Sequence, residues 1–290
     1  MRIDEYLQTG LSSFSFEFMP PRSDEEVAIL EKTVAELRPL KPAFVNVTHG
    51  AGGASRSLTL DLCTRIKAET GIETMAHVTC TGYTYDELIA ILERLRDAGI
   101  ENVLAIRGDP PLGQGLFEPA PGGLRFGSEL IRLIRDHGFD FCIGAAVHPE
   151  GHPESFDRHE DLRHAKEKVD AGASFLITQL FFDSTFYFDL VERARNIGIE
   201  VPIIPGIMPV TRIGQVRRFV EHHGVTIPAR LLNALERCET PRETRELGIA
   251  WATDQCRELL ERGAPGVHFY TFNRSLATRR VMHAIGNYPD

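Results

Sequence analysis

The residues able to do chemistry stand at the ends of short apolar runs. SSFSFEFMPPRS at 12–23 alternates Phe14, Phe16 and Phe18 with Ser13, Ser15 and Glu17. This is the period-two pattern of a strand with one apolar and one small polar face. Pro20 and Pro21 end it, since proline cannot donate to a ladder. Glu17 therefore closes the polar face with a carboxylate, a group that can hold and deliver a proton. Later runs end in the same manner: Thr48-His49-Gly50 after AFVNV, His77 before VTC, Arg107-Gly108-Asp109 after NVLAI, and His148-Pro149-Glu150-Gly151-His152 after FCIGAAV. Gln179 lies among apolar neighbours, where an amide must find partners for two donors and an acceptor oxygen. The run HFYTFNR carries Tyr270, Asn273 and Arg274. His148 and His152 are four apart, but Pro149 and Gly151 deny them the helix of a zincin pair, so no metal is expected.

The elements that must position these groups recur along the chain. Strands are expected at 13–18, 43–48, 74–79, 102–107, 141–147, 174–181, 201–205 and 266–271. Amphipathic patterns such as SDEEVAILEKTVAELRPL, YDELIAILERLRDAG and EDLRHAKEKVDAG lie between them. Gly99, Gly172 and Gly198 follow helical patterns, where a C-cap belongs. Eight strands alternating with helices predict an α/β fold, a (β/α)8 TIM barrel, and argue against an open doubly wound sheet. Three helical patterns, 211–223, 228–237 and 241–262, predict extra helices between strands seven and eight. No Pro/Ser-rich linker divides the chain, so residues 1–290 are expected to form a single barrel domain.

In such a barrel the phenylalanines of strand one face the helices and the serines face the interior. Glu17 becomes the last inward residue at the C-terminal mouth, where barrel active sites are built. The other strand ends then form a polar ring around that mouth. The Gly/Pro-rich stretch GDPPLGQGLFEPAPGGL at 108–124 has the size of a loop covering it. GAGGAS at 50–55 has the wrong spacing for the GxGxxG dinucleotide fingerprint.

Composition narrows the partners. Lys plus Arg number 32 against 41 Asp plus Glu, a formal charge of −9 in 290 residues. An acidic balance argues against nucleic acid or an anionic membrane as partner. Five scattered cysteines without a CxxC pair read as reduced thiols. The N-terminus is too polar for a signal peptide and no run approaches a membrane span. A cytoplasmic protein is expected.

Taken in order, FSFEFMPPR, FVNVTHGAGG, AHVTC, LAIRGDPP, HPEGHPES, KVDAGASFLITQLFFD, IIPGIMPV and HFYTFNR resemble methylenetetrahydrofolate reductase of the bacterial, flavin-dependent type. The resemblance covers nearly the whole chain. It implies non-covalent FAD at the barrel mouth, reduced by NADH or NADPH, with NADH favoured by likeness to bacterial members. It implies ping-pong reduction of 5,10-methylenetetrahydrofolate to 5-methyltetrahydrofolate, feeding methionine biosynthesis and one-carbon metabolism. A homo-oligomer, dimer or tetramer, is implied, and the regulatory domain of eukaryotic members is not expected within these 290 residues.

By the resemblance Glu17 is the general acid that protonates folate N10, and among Phe16, Phe18 and a flavin its pKa is expected to be raised. Asp109 matches an aspartate near flavin and pterin. Gln179, Arg274 and Thr48 match positions that contact substrate. Thr48, His49, Ala51, His77, Arg107, Gly108, Asp109, His148, His152, Asp161 and Lys168 match FAD-binding positions, with Lys168 facing the pyrophosphate. His49 and His148 stand where enteric-type enzymes carry tyrosines, and His164 and Glu167 replace an Asn and an Arg that help bind FAD. Three other readings stay open on the residues: a flavin-free reductase with the same acid, a non-catalytic folate- or flavin-binding subunit, and a metal-dependent barrel aldolase using His148 and His152.

Overall fold

A computed structural model describes residues 1–48, 56–108, 117–214, 216–217, 220 and 224–286. The alternating runs become parallel strands β1 (Ser13–Phe18), β2 (Phe44–Val47), β3 (Thr74–Thr79), β4 (Asn102–Ile106), β5 (Cys142–Val147), β6 (Phe175–Thr178), β7 (Ile203–Ile204), β8 (Gly206–Ile207) and β9 (Gly266–Tyr270). They form one sheet in the order β7-β6-β5-β4-β3-β2-β1-β9-β8. Pro205 sits between β7 and β8 and explains the ninth strand. Ile203 and Ile204 pair with β6, while Gly206 and Ile207 pair with β9. Proline has no N–H to give to a ladder, yet the Pro205 carbonyl still accepts from His268 N–H at 2.9 Å. One stave of the expected eight is thus handed from β6 to β9 at a proline, and the sheet curls into the nearly closed barrel that the sequence predicted.

Around the strands lie α2 (Asp24–Leu37), α3 (Arg56–Thr70), α4 (Tyr85–Asp97), α5 (Gly127–Asp136), α6 (Arg158–Asp170), α7 (Ser184–Asn196), α8 (Ala229–Glu236), α9 (Pro241–Glu261) and α10 (Ser275–Ala284), after an initial α1 (Ile3–Gln8). Their starts are written locally. Ser23 accepts from Glu26 N–H, Thr84 and Glu87 form a reciprocal capping box, and Asp157 accepts from His159 and Glu160. Each satisfies amide donors that a first turn leaves over. Helices α8 and α9 realise two of the three extra patterns; 211–223 falls partly outside the described residues. Sequence reasoning assigned nothing to 3–8. Its signal was Ile3 and Leu7 four apart behind Asp4 and Glu5, a spacing that puts both apolar groups on one helix face.

Two apolar layers result. Phe14, Phe16 and Phe18 join Leu30, Val34, Val45 and Val47 between barrel and helices. Phe44, Met75, Leu104, Cys142, Phe175, Ile177 and Ile204 form the interior cluster, which Ile3 of α1 joins. Ser13 and Ser15 face inward, fully buried; bulky Phe44 and Phe175 fill the volume that these small side chains leave. No helix among the described residues is long and apolar enough to cross a membrane.

Candidate active site at the barrel mouth

Register assembles the first cluster. Glu17 of β1 lies opposite Asn46 of β2 and Tyr270 of β9, and Ser15 lies opposite Phe44 and His268. Because alternate residues share a face, Ser15, Glu17, Asn46, His77, His268 and Tyr270 converge inside the barrel. Asn46 Nδ2 donates to Glu17 Oε2 at 2.9 Å and lies 2.5 Å from His77 Nε2. His77 Nε2 and His268 Nε2 stand 3.7 and 3.5 Å from the same carboxylate oxygen. The Tyr270 hydroxyl donates to the Thr178 carbonyl at 2.8 Å, and Gly206 N–H donates to Thr178 Oγ1 at 2.8 Å. These bonds tie β6, β8 and β9 together directly below the acid.

The expected rise in the Glu17 pKa is overturned. Burial pushes the carboxyl up, but the close approach of His268, the charges of His77 and His268, and the amide of Asn46 together bring it below the ordinary range. Phe16 and Phe18, the neighbours that suggested a rise, point away from Glu17 into the helix layer. Burial and the nearby Glu17 keep the Tyr270 phenol protonated.

The strand behind the acid is fixed from outside. Thr271 Oγ1 donates to the Glu17 carbonyl at 2.6 Å. Asn273 accepts from Met19 N–H and donates to the Met19 carbonyl, both at 2.9 Å. Phe272 and Asn273 have φ of 50° and 55°, a left-handed corner that only small or amide side chains tolerate readily. Arg274 follows this corner at the same barrel end and is exposed.

A second cluster opens beside β4–β6. A cavity of about 440 Å³ is lined by Arg107, Gly108, Phe117, Phe126, His148, His152, Glu154, Asp161, His164, Lys168 and Gln179, among others. Arg107 makes a bidentate pair with Glu154 at 2.6 and 2.9 Å, and its guanidinium lies 5.1 Å from the centre of the Phe117 ring. His148 and His152 meet edge to face at 4.8 Å, with His148 Nδ1 4.0 Å from Asp161. Burial pushes the Lys168 ammonium down in pKa and the Asp161 carboxyl up, and each opposes the shift of the other. Lys168 also donates to the Ala146 carbonyl. Gln179 Oε1 accepts from Leu180 N–H at 2.9 Å, which orients its amide on the cavity wall.

Most of the sequence-predicted site falls into these two clusters: Glu17 and His77 in the first, and Arg107, Gly108, His148, His152, Asp161, Lys168 and Gln179 in the second. Thr48 follows β2, its N–H bonded to the Phe18 carbonyl at 2.8 Å. His49, Ala51 and Asp109 lie outside the described residues. Sequence reasoning missed Asn46, His268 and Glu154. The first two were legible as inward positions of FVNV and GVHFY, alternating with Val47 and Phe269. His164 stacks on Phe126 at 6.1 Å, and its Nδ1 lies 3.5 Å from Glu167. Two of the four departures from the enteric-type pattern, His164 and Glu167, therefore contact each other.

The family model for methylenetetrahydrofolate reductase matches residues 2–286. The chain belongs to this family. It is 38% identical over 281 residues to the 5,10-methylenetetrahydrofolate reductase of Escherichia coli, covering 97% of this chain and 93% of that one. It is 38% identical over 296 residues to methylenetetrahydrofolate reductase (NADH) 1 of Arabidopsis thaliana. The chain spans about half the length of that plant relative, 50%. Among solved structures, an uncharacterized protein from Clostridium thermocellum that binds two copies of 5-methyl-5,6,7,8-tetrahydrofolic acid superposes with a TM-score of 0.64. At 18% identity, covering 97% of this chain and 96% of the other, this likeness speaks for the fold.

Proposed function

We propose that the chain reduces 5,10-methylenetetrahydrofolate to 5-methyltetrahydrofolate with electrons from NADH, through bound FAD. The observation that carries the reading is Glu17. It matches the family's acid and stands at the barrel mouth with Asn46 and His77 on its carboxylate. The relatives' names support the reaction, and the plant name supports NADH. Likeness to family members supports a cytoplasmic homo-oligomer, and the continuous match from 2 to 286 supports one catalytic domain.

The cavity beside β4–β6 suits a flavin dinucleotide. Arg107, Lys168, His148 and His152 gather cationic or donor groups at one wall, as a pyrophosphate requires. Gly108, at φ +83°, has no room for a Cβ: one would lie 2.5 Å from Thr81 Oγ1. Gly108 therefore meets the cavity as backbone alone. Phe117 and Phe126 supply flat apolar walls. Bound there, FAD would accept hydride from the nicotinamide and pass it to the folate methylene carbon.

The remaining work falls to the chain itself. The folate imidazolidine ring must open before its methylene carbon can accept hydride, and opening needs a proton on N10. Glu17 supplies that proton and Asn46 fixes the carboxyl. Gln179 presents its amide to folate and nicotinamide in turn, and Thr48 and Arg274 complete the substrate contacts. Asp109, by its match to the family aspartate, would bond the pterin edge and oppose negative charge on the flavin.

Glu17→Gln tests the reading because only the folate half-reaction needs an acid. Stopped-flow absorbance should show nicotinamide oxidation retained within about tenfold and folate reduction lowered by roughly 10²–10⁴. Equal loss of both half-reactions would assign Glu17 a structural role, and no loss in either would remove it as the acid.

A further inference from the structure

His268 is fully buried, and the proposed chemistry does not use it. Three neighbours fix its ring. Nδ1 lies 2.8 Å from Ser15 Oγ, Phe44 stacks on it at 6.1 Å and 15°, and Tyr270 meets it edge-on at 5.3 Å. Nε2 is thereby aimed at Glu17 Oε2, 3.5 Å away, and has no hydrogen-bond partner. A buried polar atom left unsatisfied is costly to the fold. A nitrogen held at that cost, facing a carboxylate at a proton-transfer site, is placed for exchange with it.

The other groups that face this pair are few among the described residues. From β1 come Glu17 and Ser15, and from β9 the protonated Tyr270. From β2 come Phe44 and, on the carboxylate, Asn46; from β3 comes His77, on the far side of Glu17 Oε2. From β8, Gly206 pairs with His268 through backbone alone. Glu17 is the one carboxylate within ion-pair reach of the ring in this set.

The reading of Glu17 as general acid meets a difficulty: the cluster favours the ionised carboxyl, and an ionised carboxyl has no proton to give. Resting on that reading, we propose that His268 is the proton reserve of Glu17, the two groups holding one proton that sits on His268 Nε2 in the free enzyme and on Glu17 Oε2 once substrate closes the mouth. The shift turns imidazolium and carboxylate into imidazole and carboxylic acid, with no change in total charge. Removing water from the mouth drives it, because a separated ion pair is disfavoured in a low-dielectric site and a neutral pair is not. Ser15 Oγ accepts Nδ1–H in both states, so the ring need not turn. Glu17 O–H then passes its proton to folate N10, leaving a carboxylate and a neutral imidazole. One proton returns from solvent after product departs.

The wild-type protein provides the first test. With 15N-labelled histidine and FAD-replete protein, the His268 ring nitrogens are followed by NMR from pH 5 to 9, with and without 5-methyltetrahydrofolate as probe. The signal is identified by its loss in His268→Asn or, should that variant not fold, by its perturbation in Ser15→Ala. At pH 7 the free protein should show a doubly protonated ring, and the complex a neutral ring protonated at Nδ1. An identical neutral ring in both states would overturn the proposal.

Kinetics give the second test. The alkaline limb of the folate half-reaction should move at least one pH unit lower in Ser15→Ala and in His268→Asn, about tenfold in rate at a fixed alkaline pH. A uniform loss at every pH, with the limb in place, would mean that His268 only packs and would overturn the proposal. Failure of the underlying reading is distinguishable, because it appears as unchanged folate reduction in Glu17→Gln, whatever state His268 adopts.

Discussion

Replacing Gly206 with alanine probes how closely β6, β8 and β9 are drawn together beneath Glu17. A Cβ at 206 would lie 2.4 Å from the Thr178 carbonyl oxygen, 2.6 Å from Tyr270 Cε2 and 3.1 Å from the Tyr270 hydroxyl. The first atom is backbone and the second belongs to a ring whose hydroxyl is tethered to that same carbonyl, so neither can swing away alone. Overpacking of this kind costs about 1–3 kcal/mol. At roughly 2.1 cal/mol/K per residue, unfolding the whole chain carries an entropy near 0.6 kcal/mol/K, so the melting temperature should fall by about 2–5 °C. Part of the cost is shared with the ring. Gly206→Ala and Tyr270→Leu should therefore couple by about 0.5–3 kcal/mol in a double-mutant cycle. Thermal unfolding by circular dichroism or calorimetry reads all four proteins. A melting temperature unchanged in Gly206→Ala would refute the argument that the seam has no room for a methyl group, and additive effects would refute the shared contact.

Two further outcomes follow from the site. Lys168→Met removes the ammonium from the cavity wall and should weaken FAD retention at least tenfold, read by flavin fluorescence on dilution or dialysis; retention equal to wild type would place the pyrophosphate elsewhere. The Glu17 carboxyl lies lower in the folded protein than in the unfolded chain. Its contribution to stability is then complete above the unfolded value of about 4.3 and lost as pH falls through the folded one. Relative to wild type, Glu17→Gln should therefore lose less melting temperature between about pH 5 and 3, and parallel curves would contradict the assignment.

How much was legible from sequence depended on range. Alternation in SFSFEF, TMAHVT and GVHFYT placed strands to within a residue or so of their observed ends, because period two is a local property of the chain. It also placed Glu17 inward at the mouth. The proton state of Glu17 was not legible. It depends on His268, Asn46 and His77, which reach it through cross-strand register, and register links residues far apart in sequence. The split at Pro205 was hidden for a similar reason. VPIIP reads as one short strand, and only the two different partners on its flanks divide it. Helix α1 was passed over because six residues, with Ile3, Tyr6 and Leu7 as the hydrophobic positions, are too short a run to display a period. Glu154 was within a quoted motif, yet nothing local announced that it would neutralise Arg107.

The seam between β1 and β9 also bears on how the chain reaches its native state. The Ser15–His268 bond spans 253 residues, and β1 gains its second neighbour only when 266–270 dock. During synthesis, β1 to β7 can emerge and pair in sequence while one edge of β1 remains open and β8 waits for its partner β9. The acid then lacks its buried histidine, and the Asn273 latch on Met19 does not yet exist. Contacts of such separation are the slow, late ones in folding, and an unpaired edge carrying Phe14, Phe16 and Phe18 is the surface that chaperones and neighbouring chains meet first. The proton site would thus be among the last parts of the molecule to exist, formed when the final strand closes the ring.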